Sequence, residues 1–134
     1  VHRDIKPENI VLNHNKQAIL IDFGISALMH DEEYEKSLNT VGTYIYYSPE
    51  MCVKRKNSSG KAVLSDGAKN DLWALGISFF RILSGRYPYE ATESVEELKK
   101  FILFSPIDFG LIKNESARDL LKKMLCKDLE LRAQ

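Results

Sequence analysis

The segment His2-Arg3-Asp4-Ile5-Lys6-Pro7-Glu8-Asn9 places an acid at position 4, a cation two residues on and an amide five residues on. Thirteen residues after Asn9 comes Asp22-Phe23-Gly24. Taken alone, each Asp or Asn reads as a solvated turn residue. Together they form the set that phosphoryl transfer needs. Asp4 supplies a carboxylate to orient an attacking hydroxyl and accept its proton, and Lys6 an ammonium to neutralise charge on the transferred group. Asn9 and Asp22 supply oxygen ligands for magnesium.

Such a set works only if the chain brings its members together. Ile10-Val11-Leu12 and Ala18-Ile19-Leu20-Ile21 are short apolar runs around a polar linker, residues 13–17. This pattern predicts a β-hairpin that returns Asp22 towards Asn9. Residues 22–49 show no sustained period and predict a long loop of the kind that is functional or disordered. Residues 53–69, with Lys54-Arg55-Lys56 and Asn57-Ser58-Ser59-Gly60, predict an exposed, mobile loop.

Beyond that the pattern turns helical. Residues 71–83 carry Leu72, Trp73, Leu75, Ile77, Phe79, Phe80, Ile82 and Leu83, apolar on nearly every face, which predicts a helix buried on all sides. Gly85 supplies a left-handed stop and Pro88 prevents continuation. Ser94 with Glu97, and Ser116 with Asp119, give capping signals ahead of apolar positions, predicting two amphipathic surface helices, the second carrying Cys126 as a buried small hydrophobe. The fold class expected is mostly α with a small β-hairpin, in one domain over residues 1–134.

Composition excludes several alternatives. With 134 residues there is room for at most one domain, and 44 % hydrophobic residues suffice for a core. Nineteen Lys and Arg balance nineteen Asp and Glu, so no global positive field argues for nucleic acid as a partner. Cys52 and Cys126 lie 74 positions apart without a CxxC spacing, which predicts neither a zinc site nor a disulfide framework and favours a reducing, cytoplasmic location. No run approaches the eighteen apolar residues of a membrane span, so no membrane partner is expected.

On these motifs the chain resembles the eukaryotic protein kinases, specifically their C-terminal lobe from the catalytic loop onward. The resemblance extends to Gly42-Thr43, to Ser48-Pro49-Glu50 at the end of the activation segment, to Asp71-Leu72-Trp73-Ala74-Leu75-Gly76 and to Arg132. It implies catalytic roles for Asp4 as base and for Lys6, Asn9 and Thr43, and binding of ATP and Mg2+ through Lys6, Asn9 and Asp22, with Asn9 and Asp22 as the metal ligands. It further implies that Asp71 holds the catalytic-loop backbone and that Glu50 pairs with Arg132. Lys6 and Thr43 resemble serine/threonine kinases, whose partners are ATP and a protein substrate.

Within the family, the run Leu38-Asn39-Thr40-Val41-Gly42-Thr43 and the basic, serine-rich insertion after Glu50 are most similar to the calcium/calmodulin-dependent kinase kinases. Tyr44 and Ser48 depart from that pattern. Asn39 occupies the position where the resemblance places a phosphorylated hydroxyl, which implies a loop that is active without phosphate; Thr40 is the alternative acceptor. No glycine-rich loop, Val-Ala-Ile-Lys strand or hinge is present, so the chain reads as a segment whose N-terminal lobe belongs to the same polypeptide. The alternative is a pseudokinase-like binding or scaffold module.

Overall fold

A computed structural model of the chain describes residues 1–23, 44–53 and 67–133. The two apolar triplets pair as an antiparallel hairpin of β1 (Ile10–Leu12) and β2 (Ala18–Leu20), with Ile10 opposite Leu20 and Leu12 opposite Ala18. Asn13 closes the turn: its side-chain oxygen accepts from the N–H groups of Asn15 and Gln17, both at 2.9 Å. An Asx turn of this kind satisfies backbone donors that the short ladder leaves open. Ile21 lies just outside β2, yet its N–H donates to the Asn9 carbonyl at 2.9 Å and extends the pairing by one step.

About half of the described chain is helical. The helices are α1 (Pro49–Cys52), α2 (Gly67–Ser84), α3 (Val95–Phe104) and α4 (Glu115–Met124), with 3-10 turns at Pro7–Asn9 and Phe109–Leu111. The core is built on α2, whose Trp73, Ile77 and Phe80 are fully buried against Leu98 and Ile102 of α3, Leu121 and Met124 of α4, and Ile112. Each such side chain contributes about 1.5–3 kcal/mol of burial. At Gly76 the end of α4 packs so closely that a Cβ would stand 2.8 Å from a Leu125 methyl group, so any larger residue there would have to displace the Leu125 side chain. The stop at the end of α2 is as read: Gly85 adopts φ 78°, and its N–H donates to the Arg81 carbonyl at 2.8 Å.

Four details differ from the sequence reading. Residues 67–69 are helical and belong to α2, and Lys69 ties that first turn to the C-terminal segment, donating to the Leu129 carbonyl at 2.6 Å. The last turn of α2 is not buried on all sides: Ile82 and Leu83 are 59 % and 52 % exposed. The cap of α4 is Asn114, whose side chain accepts from the Ala117 N–H at 2.9 Å, and Ser116 sits exposed inside the first turn. Finally, α4 ends before Cys126, which lies half-buried in the following turn. Asn114→Ala should therefore destabilise the fold by about 1 kcal/mol in a denaturant melt, and Ser116→Ala should be near neutral.

Ser94 caps α3 as read, accepting from the Glu97 N–H at 3.3 Å, but the Glu97 carboxylate bonds the Thr92 hydroxyl instead of returning to the cap. Both cysteines are free thiols, and burial pushes the Cys52 thiol up to about 12. Among the described residues no helix is long and apolar enough to cross a membrane. Most of the 22–49 and 53–69 loops, including the insertion after Glu50, Asn39, Thr40 and Thr43, lies outside the described residues.

Candidate active site

The segment before β1 is held from beneath by α2. Asp71, in the second turn of that helix, accepts the backbone N–H of His2 at 2.5 Å through one oxygen and that of Arg3 at 2.8 Å through the other. Two charge-assisted bonds from one carboxylate fix the path of the backbone into Asp4. Arg3 takes φ 70° and Asp22 φ 64°, left-handed values uncommon outside glycine. Each costs of order 1–3 kcal/mol, a strain that surrounding contacts must hold in place.

His2 is one of those contacts. Its buried ring touches Phe23 edge-on at 4.7 Å, its Nε2 lies 3.0 Å from the Ile21 carbonyl, and its Nδ1 accepts the Asp4 N–H at 3.3 Å. A carbonyl only accepts and an amide only donates, so the bonds assign the proton to Nε2. One imidazole thereby ties the Asp4 turn to the end of the hairpin.

The side chains then converge on Asp4. Its Oδ2 accepts from Lys6 Nζ at 2.9 Å and from Asn9 Nδ2 at 2.9 Å, while the same Asn9 nitrogen reaches the Asp4 carbonyl at 2.8 Å. Pro7 opens the 3-10 turn, and Asn9 is buried at its end. With the Asn9 nitrogen committed to Asp4, its oxygen is the acceptor left for a cation. Asp22 follows Ile21, whose N–H donates to the Asn9 carbonyl, so the hairpin returns the chain at Asp22 to the neighbourhood of Asn9. Among the described residues no three His, Cys, Asp or Glu side chains cluster to hold a metal. A hard, oxygen-seeking dication that keeps water and takes phosphate oxygens needs only one or two such protein ligands, and this donor set fits it.

The structure thus brings Asp4, Lys6 and Asn9 into mutual contact and Asp22 to the adjoining turn. Thr43 lies outside the described residues. The Glu50 and Arg132 pair forms, at 2.6 and 2.9 Å, with both side chains almost wholly buried. Two contacts had no sequence signal. Ser48 is fully buried, and its hydroxyl donates to the Asn70 amide oxygen at 2.7 Å, which explains how a polar residue fits there. Tyr46 and Tyr87 meet through their hydroxyls at 3.0 Å beside Arg81, an encounter across 41 positions that no local pattern announces.

The family model for the protein kinase domain matches residues 1–134. Serine/threonine-protein kinase ssp1 of Schizosaccharomyces pombe is 37 % identical over 142 residues, covering 98 % of this chain and 21 % of the relative. Ribosomal protein S6 kinase alpha-4 of Mus musculus is 36 % identical, over 96 % of this chain and 16 % of the relative. CBL-interacting protein kinase 26 of Oryza sativa subsp. japonica is 35 % identical, over 95 % of this chain and 24 % of the relative. The chain spans a quarter or less of the length of each.

Proposed function

We propose, because this chain belongs to the protein kinase family, that it forms the C-terminal lobe segment of a serine/threonine kinase whose parent polypeptide transfers the γ-phosphate of ATP to protein hydroxyls. One observation carries the reading: a single Asp4 oxygen is held by both Lys6 and Asn9 at 2.9 Å, on a backbone pinned by Asp71. In that arrangement the Asp4 carboxylate accepts the proton of the attacking hydroxyl, and Lys6, beside it, balances charge on the transferred group. Asn9 and Asp22 would hold magnesium, which when bound supplies charge neutralisation of the phosphates. An N-terminal lobe of the parent would cover the hairpin, whose Val11, Leu12 and Ile19 stand exposed alongside Ile21 and Phe23. A lone two-stranded hairpin is marginal in water, which supports such a cover.

Magnesium dependence tests the reading. In the parent protein Asp22→Ala should lower turnover by about 10²-fold and move its magnesium dependence to higher concentration, since one of two protein oxygen ligands is lost. An unchanged magnesium titration would refute the ligand assignment. A parent that transfers no phosphate at all would favour the binding-module alternative.

A further inference from the structure

Tyr44 is one of two positions, with Ser48, at which the sequence departs from the kinase pattern it otherwise resembles. Its ring is half-buried against the core. Within its own turn it meets the Tyr47 ring, centroid to centroid at 4.6 Å, and the Tyr47 N–H closes that turn by donating to the Tyr44 carbonyl at 3.0 Å. From α3, Lys99 Nζ reaches over the same ring, 5.0 Å from its centroid.

The ammonium has a second neighbour, and the two are not equivalent. Glu96, one helical turn back, is 82 % exposed and lies 3.6 Å away, whereas the Lys99 side chain is only 23 % exposed. An ion pair with so exposed a partner contributes little. A cation withdrawn from water over a ring face is attracted by the ring quadrupole, and more strongly the more it is desolvated. The ring is therefore the firmer partner. Burial raises the Cys52 thiol at the end of α1, and the Lys99 charge draws it back, so one side chain of α3 acts both on α1 and on the turn that leads into it.

Resting on the kinase reading above, we propose that Lys99 is a positioning residue for phosphoryl transfer, which by holding the Tyr44 ring fixes where the backbone leaves Thr43. Thr43 is the residue before Tyr44, and the family resemblance gives it a catalytic role. Adjoining Cα atoms stand about 3.8 Å apart across a trans peptide, so a displacement of Tyr44 is handed on to its neighbour. Chemistry is sensitive to such shifts: a misplacement of about 1 Å can cost about 10²-fold in rate.

The test uses variants of the parent protein, assayed at a temperature where circular dichroism shows each to be folded. Lys99→Met keeps the apolar stem and removes the charge, and should lower kcat by about 3- to 10-fold with the KM for ATP unchanged. Lys99→Arg keeps a cation over the ring and should stay within about twofold of the unaltered protein. Tyr44→Phe should do likewise. Tyr44→Leu should lower kcat as Lys99→Met does, and Lys99→Met added to it should have no further effect. A merely structural role would lower the melting temperature, leave the kcat of the folded enzyme unmoved and show no rescue by arginine. An unchanged kcat in Lys99→Met, a loss that arginine does not rescue, or a loss that adds in full to that of Tyr44→Leu would each overturn the proposal while leaving phosphoryl transfer intact. Should Lys99→Met not fold, the two Tyr44 variants decide: a loss confined to leucine supports the proposal, and equal kcat for phenylalanine and leucine overturns it. A parent that phosphorylates no peptide and no generic protein substrate would instead defeat the kinase reading, and this assignment with it.

Discussion

Asp4→Asn in the parent protein should lower kcat by about 10²- to 10⁴-fold, with the KM for ATP and the thermal stability nearly unchanged. The size of the effect follows from which atoms hold the side chain. Asp4 Oδ2 faces two donors, Lys6 Nζ and Asn9 Nδ2, each at 2.9 Å. An asparagine in its place would turn its carbonyl oxygen towards those donors, because its NH2 group would clash with them electrostatically. The NH2 would then occupy the Oδ1 position and present a donor to a substrate hydroxyl that needs an acceptor. Loss of the negative charge and reversal of hydrogen-bond polarity therefore act together on the chemical step. The backbone bonds of Asp71 to His2 and Arg3 are untouched, so folding should persist. A variant with matched stability and near-normal kcat would remove Asp4 from the role of base.

The parts of this site that were legible in the sequence are the local ones. Two apolar triplets around a polar linker predict the hairpin, and hairpin geometry alone carries Asp22 back to Asn9. The apolar run in residues 71–83 predicts the buried helix that supports the site, since no polar face interrupts its first three turns. What local pattern could not show was contact across long separations. Asp71 reaches His2 over 69 positions and Arg132 reaches Glu50 over 82; both pairings were available only through resemblance to a family. The left-handed Arg3 and Asp22 carry no glycine to mark them, because tertiary bonds rather than residue type enforce those angles. The cap of α4 escapes local pattern for a different reason. Asn114 and Ser116 are both competent caps by residue type, so local pattern alone does not choose between them; in the fold the chain entering α4 is also tied by Arg118, which donates back to the Ile112 carbonyl at 3.1 Å.

The buried ion pair supports the second large effect. Arg132→Ala in the parent kinase domain should cost about 3–5 kcal/mol of stability at neutral pH, because it strands the Glu50 carboxylate away from water. Arg132 is fully buried and uses its whole fork: two bonds to Glu50 at 2.6 and 2.9 Å, one to the Cys126 carbonyl at 2.9 Å, and a weaker one to the Lys69 carbonyl at 3.4 Å. Its guanidinium also lies over the Trp73 ring at 4.9 Å, so the same side chain joins α1, α2 and the turn after α4. Burial by itself would raise the Glu50 carboxyl, but the bonds and charge of Arg132, with a backbone N–H, more than reverse that and hold it below its ordinary value of 4.5. A carboxyl depressed in the folded state contributes stability above its unfolded pKa and loses it as pH falls through the folded one. The contribution is therefore complete at neutral pH, starts to decline near 4.5 and is gone once the folded value is passed. Glu50→Gln should flatten that part of the acid limb, and should cost less than Arg132→Ala, since the glutamine oxygen still accepts one Arg132 bond. Denaturant melts of the three proteins between neutral and acid pH read both effects. A loss below about 1 kcal/mol for Arg132→Ala would put the pair in the class of exposed bridges and contradict its burial. Replacing both partners by apolar residues, Glu50→Leu with Arg132→Met, should recover much of the loss, because the cost lies in stranding one charge rather than in lacking the pair.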